Sequence, residues 1–506
     1  MSGSLTPPAS GATIPFSQIP AQWQVPGSYA EIQGIYGNQG VLPWPARALI
    51  IGQALAAATG PLGVPTQITR VADATAFWGA GSMVERMAGA FVAANPYVPL
   101  DVVAVADATS SAKATGNYTL GGTWTTAATL GLVIAGVRVP VGVLATDTVT
   151  TVVTAAVAAI NTVIPGQLAL PVVASAGGTG NDEIVLTARN AGVESNNILL
   201  ELNVDPGDTL PAGMTCSVTA MTGGATNPTL APVIEAITGI WYTDIVMSWT
   251  DSANVSALCE ELIARYGAME VEDGHGYVTF AGTLAQAQAA QAAANCQFLS
   301  AIPLTHPPSP PWAYSASLAG IASFALTNDP ARQLRGMALP GIVGPRPADR
   351  WTVEEKNLLL AGGLSPVDVM TDGTVVTTRV VTTYLTNDEG VADPDWHEIM
   401  TPKVMSRIRY DWNAYSKLLY PSNKLSDNGS IASQYDSTVA TPARLGASWA
   451  TRYRTYEQNG WLENDALATQ ATFVRNANDP NRCDSTRPMQ IIGNLMVEAS
   501  VMQFQL

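Results

Sequence analysis

The chain carries little charge. Asp, Glu, Lys and Arg make up 13% of its 506 residues, which is about half the usual share in a soluble globular protein. Its surface must therefore be covered largely by uncharged residues such as Ala, Thr, Ser, Gly and Asn. Such a surface costs little to desolvate, so it suits large permanent interfaces better than life as a monomer. The composition favours a protein that works as an oligomer.

Positive charge is scarcer than negative charge. The chain has 24 Lys and Arg against 40 Asp and Glu, which gives a net charge of −16. A protein that binds DNA or RNA needs a basic patch or run to neutralise phosphates. Because the sequence contains no such run, we expect no nucleic acid among its direct partners.

Cysteine and histidine are also few. The four cysteines lie far apart and show no CxxC spacing, which predicts buried reduced thiols and not a disulfide framework. The three histidines, His275, His306 and His397, form no HExxH or comparable pair of metal ligands. We therefore expect neither a metal nor another cofactor.

Long apolar runs are missing as well. The two longest, at 130–144 and 149–164, are interrupted by Gly, Pro, Thr or a charged residue. Both fall short of the about 18 to 20 clean apolar residues that a membrane span needs. The first 20 residues lack the basic and apolar regions of a signal peptide. These absences predict a soluble protein, made in the cytoplasm, with no membrane partner.

The short motifs that mark common enzymes are absent too. The sequence has no GxxxxGK[ST] phosphate loop and no GxSxG nucleophile elbow. The glycines at 79–82 and 177–180 do not complete GxGxxG, so we interpret them as turn residues. The acidic residues at 388–395 lack the glycine and the distal glutamate of an EF-hand. We therefore expect a protein that is not an enzyme.

What the sequence does contain is a regular alternation of short apolar strands with helical segments. This alternation, at 46–111 and 226–345, predicts one α/β domain whose open mixed sheet carries helices on its faces. Between its two parts, residues 112–225 are rich in Thr, Val, Gly and Asn, which predicts an inserted and mostly antiparallel β-domain. Residues 346–486 predict a second α/β domain. The fold class is therefore mixed α/β and multidomain.

Both ends of the chain are interpreted as extended arms. Residues 1–45 are rich in Pro, Gly, Ser and Gln and contain a short predicted strand at 29–35. Residues 487–506 carry two β-type apolar runs, 489–492 and 496–504. An extended strand with unpaired backbone groups can add to the edge of a neighbour's sheet.

Three elements inside the predicted domains have definite bounds. Apolar and small residues at helical spacing predict one helix over 73–94, with Asp73 as a plausible N-cap. A strand is predicted over 130–143, and a strand rich in Thr and Val over 374–385.

Several segments, in this order, resemble the Mu-type family of phage contractile tail sheath proteins. They are Ile19-Pro20, Val25-Pro26-Gly27-Ser28-Tyr29, Arg47-Ala48-Leu49-Ile50-Ile51-Gly52-Gln53, Asn328-Asp329-Pro330-Ala331-Arg332, Leu339-Pro340-Gly341-Ile342, Trp351-Thr352 and Arg379-Val380-Val381-Thr382-Thr383-Tyr384. Gln333 stands where the family pattern has Pro, and residues 112–225 show no such resemblance.

The resemblance implies a structural subunit of a virion tail. Such subunits stack as hexameric rings into a helical polymer around a tail tube, and contraction drives the tube through the host envelope during genome delivery. The implied partners are other copies of the chain, the tail tube protein, and the baseplate and tail terminator proteins. The implied place of assembly is the host cytoplasm, and the 112–225 insertion would lie on the outside.

The two arms and one set of arginines are the candidate functional residues. We expect the arms to link neighbouring subunits, with hinges near 37–45 and 476–487, through Phe16, Ile19, Val25, Tyr29, Ile32, Met489, Ile491, Met496, Val501 and Phe504. The densest basic groups in this acidic chain suit two interpretations: they are solvated on the faces of helices, or they face an acidic tube surface, where polar contacts would allow a sheath to hold its tube and then release it. They are Arg407, Arg409, Arg452 and Arg454.

Two other function classes fit parts of the sequence. The alternation of strands and helices also suits a nucleotide-binding α/β enzyme, although the phosphate-binding fingerprints are missing. The inserted β-domain would also suit a glycan-binding virion adhesin.

Overall fold

The computed structural model describes residues 25–28, 40–205 and 207–505. The chain divides into two compact units, residues 1–42 and residues 43–506. The second unit is a mixed α/β structure, as the sequence predicts. Where one domain ends and the next begins stays a prediction.

The strands of the described residues are short, and most have between two and seven residues. They are β1 (Ala48–Gln53), β2 (Thr66–Ile68), β3 (Leu100–Val105), β4 (Thr115–Gly122), β5 (Ala128–Ile134), β6 (Val137–Val143), β7 (Val172–Gly177), β8 (Glu183–Ala188), β9 (Leu200–Leu202), β10 (Met214–Thr222), β11 (Asp244–Met247), β12 (His275–Ala281), β13 (Leu299–Leu304), β14 (Val367–Val369), β15 (Val375–Thr377), β16 (Lys424–Leu425), β17 (Val439–Ala440), β18 (Leu462–Glu463), β19 (Thr472–Arg475), β20 (Cys483–Thr486) and β21 (Gln490–Ile491).

The α-helices of the described residues alternate with the strands in the middle of the chain and dominate its last hundred residues. They are α1 (Val71–Trp78), α2 (Met83–Ala94), α3 (Val149–Asn161), α4 (Ala231–Ala236), α5 (Ser252–Arg265), α6 (Leu284–Ala292), α7 (Pro311–Asn328), α8 (Val353–Ala361), α9 (Met400–Leu419), α10 (Ile431–Tyr435), α11 (Pro442–Gln458) and α12 (Ala466–Gln470). Two 3₁₀ turns span Val193–Asn197 and Pro347–Asp349.

A six-stranded sheet forms the centre of the molecule, in the order β13-β12-β11-β1-β3-β2. Its strands run parallel except β2, which is antiparallel to β3. The apolar run at 48–51 in β1 is completely buried, because helices cover both faces of a parallel sheet. This confirms the strand that the run predicts.

Helices α2 and α7 cover one face of the central sheet, and α5, α6 and α8 pack on the other. Helix α7 is buried along most of its length, which its small and apolar residues allow. Gly320 sets how closely α7 approaches α2, since a Cβ there would lie 2.9 Å from the backbone oxygen of Phe91.

The chain leaves the central sheet after β3 and returns to it at β11. In between, seven strands form a four-stranded sheet (β10-β4-β8-β7) and a three-stranded sheet (β6-β5-β9), both antiparallel. The buried hydroxyl of Tyr118 joins the two sheets by donating to the carbonyl oxygens of Val133 and Glu201, each at 3.0 Å. A mostly antiparallel arrangement is what the composition of this region predicts.

Three predicted elements are different in the structure. The helix predicted over 73–94 is two helices, because Gly79 and Gly81 have φ values of 94° and 82° and Ser82 caps α2 by accepting from the Glu85 N–H at 3.2 Å. The strand predicted over 130–143 is a hairpin. It turns at Ala135 and Gly136, which both have positive φ, as type I′ turns require.

The third difference concerns the strand predicted over 374–385, of which β15 is the regular part. The rest of this segment covers the outer edge of β13, where the Thr383 N–H donates to the Leu299 oxygen at 2.8 Å. The Ser365 N–H does the same to the Ala301 oxygen at 2.8 Å. This end of the central sheet is thereby closed to pairing with another chain.

Candidate assembly surfaces

Helices α9 and α11 carry the four arginines predicted to face a tube. The two helices pack through aromatic rings, and the Trp412 and Trp449 centroids lie 5.1 Å apart in a T-shaped arrangement. Helix α11 begins at Pro442, after Thr441, whose hydroxyl accepts from the Arg444 N–H at 3.3 Å. Pro at the first position and Thr as the cap are both favoured at a helix start.

Arg452 lies inside this aromatic core and is 2% exposed. Its Nε and Nη2 each donate to the Asp411 carboxylate at 2.6 Å, and the Tyr456 hydroxyl donates to the same carboxylate at 2.7 Å. Burial raises the pKa of Tyr456, so the phenol stays protonated and keeps donating. The pair holds α9 and α11 together as a bidentate ionic contact.

Arg407 is also buried but has a different environment. Its guanidinium carbon lies 5.4 Å from the Trp44 ring centroid and 5.6 Å from that of Trp461. Its Nε and Nη1 have no hydrogen-bond partner among the described residues. Burial lowers its pKa from the ordinary arginine value, and the two rings offer it cation–π contacts instead of a carboxylate.

Arg409 and Arg454 complete the set. Arg409 forms an ion pair with Asp273, the residue two places before β12, and its guanidinium carbon lies 4.2 Å from the Tyr266 ring centroid. Arg454 is exposed on α11. Of the four predicted arginines, three are thus engaged with side chains of their own chain, and Arg454 is the one whose side chain faces outward. Contact with a tube stays a prediction, and it now rests on Arg454.

The predicted C-terminal arm begins with a short strand pair. Strand β21 pairs antiparallel with β18, matching Leu462 to Ile491. Met489 and Ile491 are half-buried, and the Ile492 N–H donates to the Trp461 oxygen at 3.2 Å. The first β-type run therefore forms its strand within its own chain.

The second β-type run does not form a strand in the described residues. Met496 is half-buried and accepts at its Sδ from the Gln333 side-chain amide, while its backbone oxygen accepts from Arg335 Nη1 at 3.4 Å. Beyond it the chain is exposed up to residue 505, with Val501 at 87% and Phe504 at 85%. The strand predicted at 496–504 is therefore absent from the isolated subunit, because a strand forms only where a second strand accepts its hydrogen bonds.

Strands β19 and β20 form a two-stranded hairpin with no further strand beside it among the described residues. Phe473 turns toward α11, while Val474 is 57% exposed. The hairpin turn and β20 occupy the segment 476–487, so this segment has regular structure in the single chain; that it acts as a hinge between subunits stays a prediction. Asn476 closes the turn, since its Oδ1 accepts from the Asn478 N–H at 2.8 Å and the Asp479 N–H at 3.1 Å.

Two signals in the sequence mark this hairpin, although the sequence reasoning does not find it. Thr472, Phe473, Val474 and Arg475 combine β-forming side chains, and an Asn-Asp-Pro run at 478–480 is typical of a turn. Because the segment is short and its turn is polar, the same residues also suit a flexible hinge.

The N-terminal arm lies mostly outside the described residues. Val25 is 57% exposed, whereas Phe16, Ile19, Tyr29 and Ile32 fall outside the described ranges. Their role as linking residues stays a prediction.

Metal ligands and membrane-spanning helices can be sought only in the part of the chain that the structure describes. There, no group of three or more His, Cys, Asp and Glu could hold a metal ion, and none of the helices is long and apolar enough to cross a membrane. His275 is buried with its Nε2 2.9 Å from the Ser300 hydroxyl, and burial lowers its pKa well below the usual value. His306 Nδ1 lies 2.9 Å from an Asp349 oxygen on the surface.

Comparison with known proteins gives matches along the chain. The model of the phage tail sheath protein central domain matches residues 223–383. The Mu-like prophage FluMu tail sheath protein of Haemophilus influenzae is 27% identical over 493 residues, which cover 97% of this chain and 99% of that protein. Among solved structures, the anti-feeding prophage helical sheath in its contracted state has a TM-score of 0.50 at 11% identity, covering 96% of this chain and 99% of that one. The sheath tail protein from Listeria innocua has a TM-score of 0.48 at 10% identity, covering 90% and 94%.

Proposed function

Because this chain carries a phage tail sheath central domain and is homologous along its length to a Mu-like prophage tail sheath protein, we propose that it builds a contractile sheath from stacked hexameric rings. The rings surround a tail tube, and their contraction drives that tube through the host envelope to deliver the genome. The observation that carries this proposal is the whole-length match, since a relative covered at 97% and 99% leaves little room for a different architecture. The relatives are structural proteins, and the subunit acts by assembly.

The proposed partners follow from that role. Copies of the chain contact one another in the polymer, and the tube, the baseplate and the tail terminator contact the polymer inside and at its two ends. The sheath assembles in the host cytoplasm and becomes part of the virion tail. Residues 112–225 form an inserted domain on its outer side, between the two parts of the α/β domain.

The arms link subunits by adding strands to a neighbour's sheet. Two features of the described residues support this: apolar side chains at 497–505 that are exposed in the single chain, and the β19–β20 hairpin with a free edge on each strand. An isolated two-stranded hairpin is marginally stable, whereas three or four strands with one apolar face are stable. If the 497–505 segment of one chain pairs with the hairpin of another, its apolar side chains become covered and a hairpin edge gains a partner strand. Backbone hydrogen bonds then give affinity, and the exposed Val474 gives an apolar contact.

The proposal is tested by changing the C-terminal segment of the full chain. The double variant Val501→Asp with Phe504→Asp adds two charges to a segment that must pair in the lattice but touches little in the single chain. We expect it to remain as soluble monomers in sedimentation and electron microscopy. The matched control is Val353→Asp, at a side chain that is 76% exposed elsewhere on the surface, and it should assemble normally.

Deletion of residues 489–506 is a larger change to the chain, and it should also leave the protein as soluble monomers. Normal polymers from the deletion variant would rule out linking by this arm. Loss of assembly in the Val353→Asp control would mean that any added charge disrupts the polymer, and the arm would then have no special role.

A further inference from the structure

A loop between α5 and β12, residues 267–272, projects an apolar side chain into solvent. Met269 at its tip is 92% exposed, and the neighbouring Glu270 is exposed as well. Val271 has φ +57°, a left-handed conformation that is unfavourable for a β-branched residue. Such strain persists where the surroundings fix the backbone, and it is often found at functional positions.

The loop is held from beneath by Arg265, which is 4% exposed. Its backbone oxygen accepts from the N–H of Glu272 in the loop at 3.0 Å, and its Nη1 lies 3.5 Å from the Glu272 carboxylate. The guanidinium is itself held in place because it donates to the Ile240 and Ile237 oxygens at 2.8 Å and 3.0 Å. Within the loop, the Val271 N–H donates to the Gly267 oxygen at 3.1 Å. A knob fixed in this way loses little conformational freedom when it binds. We call residues 267–272 the Met269 knob.

A cleft of about 760 Å³ lies between α2, the β5–β6 turn, the segment before β7 and the start of α7. Its walls are mainly apolar and include Ala90, Val137, Leu168 and Ile342. This volume lies in the range of protein pockets that enclose a drug-sized ligand, about 300 to 1,000 Å³. It can receive a methionine side chain together with its neighbours. We call it the Arg86 cleft.

Arg86 gives the cleft a positive charge. Its Nη1 donates to the Ala169 oxygen at 2.7 Å, and no carboxylate lies within ion-pair distance of it among the described residues. Burial lowers the pKa of Arg86 to about 10, so it is still charged at neutral pH. Arg138, also at the cleft, already pairs with Asp208 and, at 3.1 Å, with Asp205. A desolvated cation without a carboxylate is costly, so an incoming carboxylate is favoured at Arg86.

The knob and the cleft lie at opposite ends and on opposite faces of the central sheet. The knob precedes β12, at the amino ends of the parallel strands, next to α5. The start of α7 follows β13, at the carboxyl ends, on the face that α2 and α7 cover. One chain therefore cannot fill its own cleft with its own knob. A contact between two such different surfaces repeats head to tail and generates rings or open helical filaments.

We propose that the Met269 knob of one copy of this chain enters the Arg86 cleft of the next copy, with Met269 in the apolar cleft and Glu270 paired with Arg86. The negative charge of Glu270 complements the positive charge of Arg86. The knob protrudes and the cleft is concave, so each copy can offer one to each of two neighbours. The inference rests on the proposed assembly into a polymer and names a contact between the folded bodies that does not involve the arms.

Cysteine cross-linking of the full-length chain tests this contact. The variant Met269→Cys with Val137→Cys places one thiol on the knob and one in the cleft. We expect a ladder of covalent oligomers well beyond the dimer after mild oxidation of assembled polymers, because each copy would join two neighbours. The matched control is Val353→Cys with Val137→Cys, which keeps the cleft thiol and moves the exposed thiol away. It should give no ladder, and neither should the wild-type chain with its four native cysteines.

The outcomes separate this inference from the proposed function. Polymers without a ladder would overturn the knob contact and leave the sheath role standing. A ladder that stops at the dimer would also overturn it, since it would indicate a two-fold symmetric contact. Absence of polymers from the wild-type chain, alone and with a tube protein, would overturn the sheath role and this inference with it.

A mixing experiment gives a second readout. Glu270→Arg alone should raise the concentration needed for assembly about tenfold or more, because it sets a cation against Arg86. Arg86→Glu alone should do the same, with circular dichroism confirming its fold. Mixed in equal amounts, the two variants should assemble again. The knob of Glu270→Arg then meets the cleft of Arg86→Glu, and the unaltered Glu270 of the second variant meets the unaltered Arg86 of the first. Failure of the folded variants to rescue each other would contradict the pairing.

Discussion

The central sheet and the C-terminal helices bury charged groups in different ways. In the sheet, the interior is apolar, and the buried carboxylates sit at the amino ends of strands, where Asp101 meets Arg47 at 2.6 Å and Asp244 meets Lys403 at 2.7 Å. Between α9 and α11, the Asp411–Arg452 pair lies in the middle of an aromatic core. The sheet therefore keeps these buried charges at the ends of its strands, whereas the C-terminal region places an ion pair inside its aromatic core.

The two regions also differ in whether the outer edges of their strands are covered by backbone hydrogen bonds. The outer edge of β13 is covered by backbone hydrogen bonds from Ser365 and Thr383. The C-terminal region instead contains two-stranded sheets, of which β19–β20 has open edges among the described residues. A sheet whose edge is covered can change position during assembly without changing its own structure. A hairpin with open edges can pair with a strand of another chain. We therefore expect the first region to move as a rigid body and the second to link neighbouring chains.

The largest expected effect on stability comes from breaking the buried ion pair. Asp411→Ala leaves Arg452 desolvated without its carboxylate and removes the acceptor of the Tyr456 hydroxyl. We expect the free energy of unfolding of the C-terminal region to fall by about 3–5 kcal/mol, measured by urea denaturation followed by tryptophan fluorescence. Arg454→Ala, on the same helix but exposed, should unfold at nearly the wild-type urea concentration. Equal stability of wild type and Asp411→Ala would show that the pair is not central to this region.

A smaller change in the free energy of unfolding is expected when the pH is lowered, and it comes from a histidine in the central sheet. The pKa of His275 is well below its unfolded value because of burial, and the unfolded value is about 6.5. Below that pH the unfolded chain binds a proton that the folded chain does not, so stability falls as the pH is lowered. For this group the slope approaches about 1.4 kcal/mol per pH unit.

Denaturation curves between pH 7.5 and pH 5.5 measure this slope. His275→Gln should flatten it and leave a residual slope from His397, whose pKa burial also lowers. An unchanged slope in His275→Gln would place the acid-sensitive group elsewhere.

The smallest effect on stability is expected at Arg454, where the predicted effect is on binding. Because its side chain is exposed on α11, Arg454→Glu should fold normally and form polymers of the chain alone. Co-sedimentation with a tube protein should be lost if an acidic tube faces this residue. Lys113→Glu, also exposed and far from the β19–β20 hairpin in sequence, is the charge-matched control and should retain the tube. Retention by Arg454→Glu would remove the last of the four arginines from the tube-facing hypothesis.

The central sheet could be predicted because its signals are local. Ala48 to Ile51 is a continuous apolar run that follows Pro45 closely and ends at Gly52, and it lies in β1. The hairpin of β5 and β6 was predicted as one strand because its turn residues, Ala135 and Gly136, interrupt the apolar pattern only weakly. Positive φ at an alanine has no clear signature in the sequence.

The environment of the arginines could not be predicted, for a different reason. Arg452 and Arg454 are two positions apart, so on a helix they point in different directions, and basic residues that are close in sequence need not form one surface. Asp411 lies 41 positions before its partner Arg452, and no local pattern connects them. The exposed segment after Met496 carries a β signal, but no strand of the described residues lies beside it to accept its hydrogen bonds.

Electron microscopy of the purified, untagged full-length chain tests the central claim most directly. After concentration, alone or with a tube protein, we expect hollow tubes with a regular helical repeat and an inner diameter wide enough to surround a second tube. Small discrete particles under both conditions would contradict a sheath.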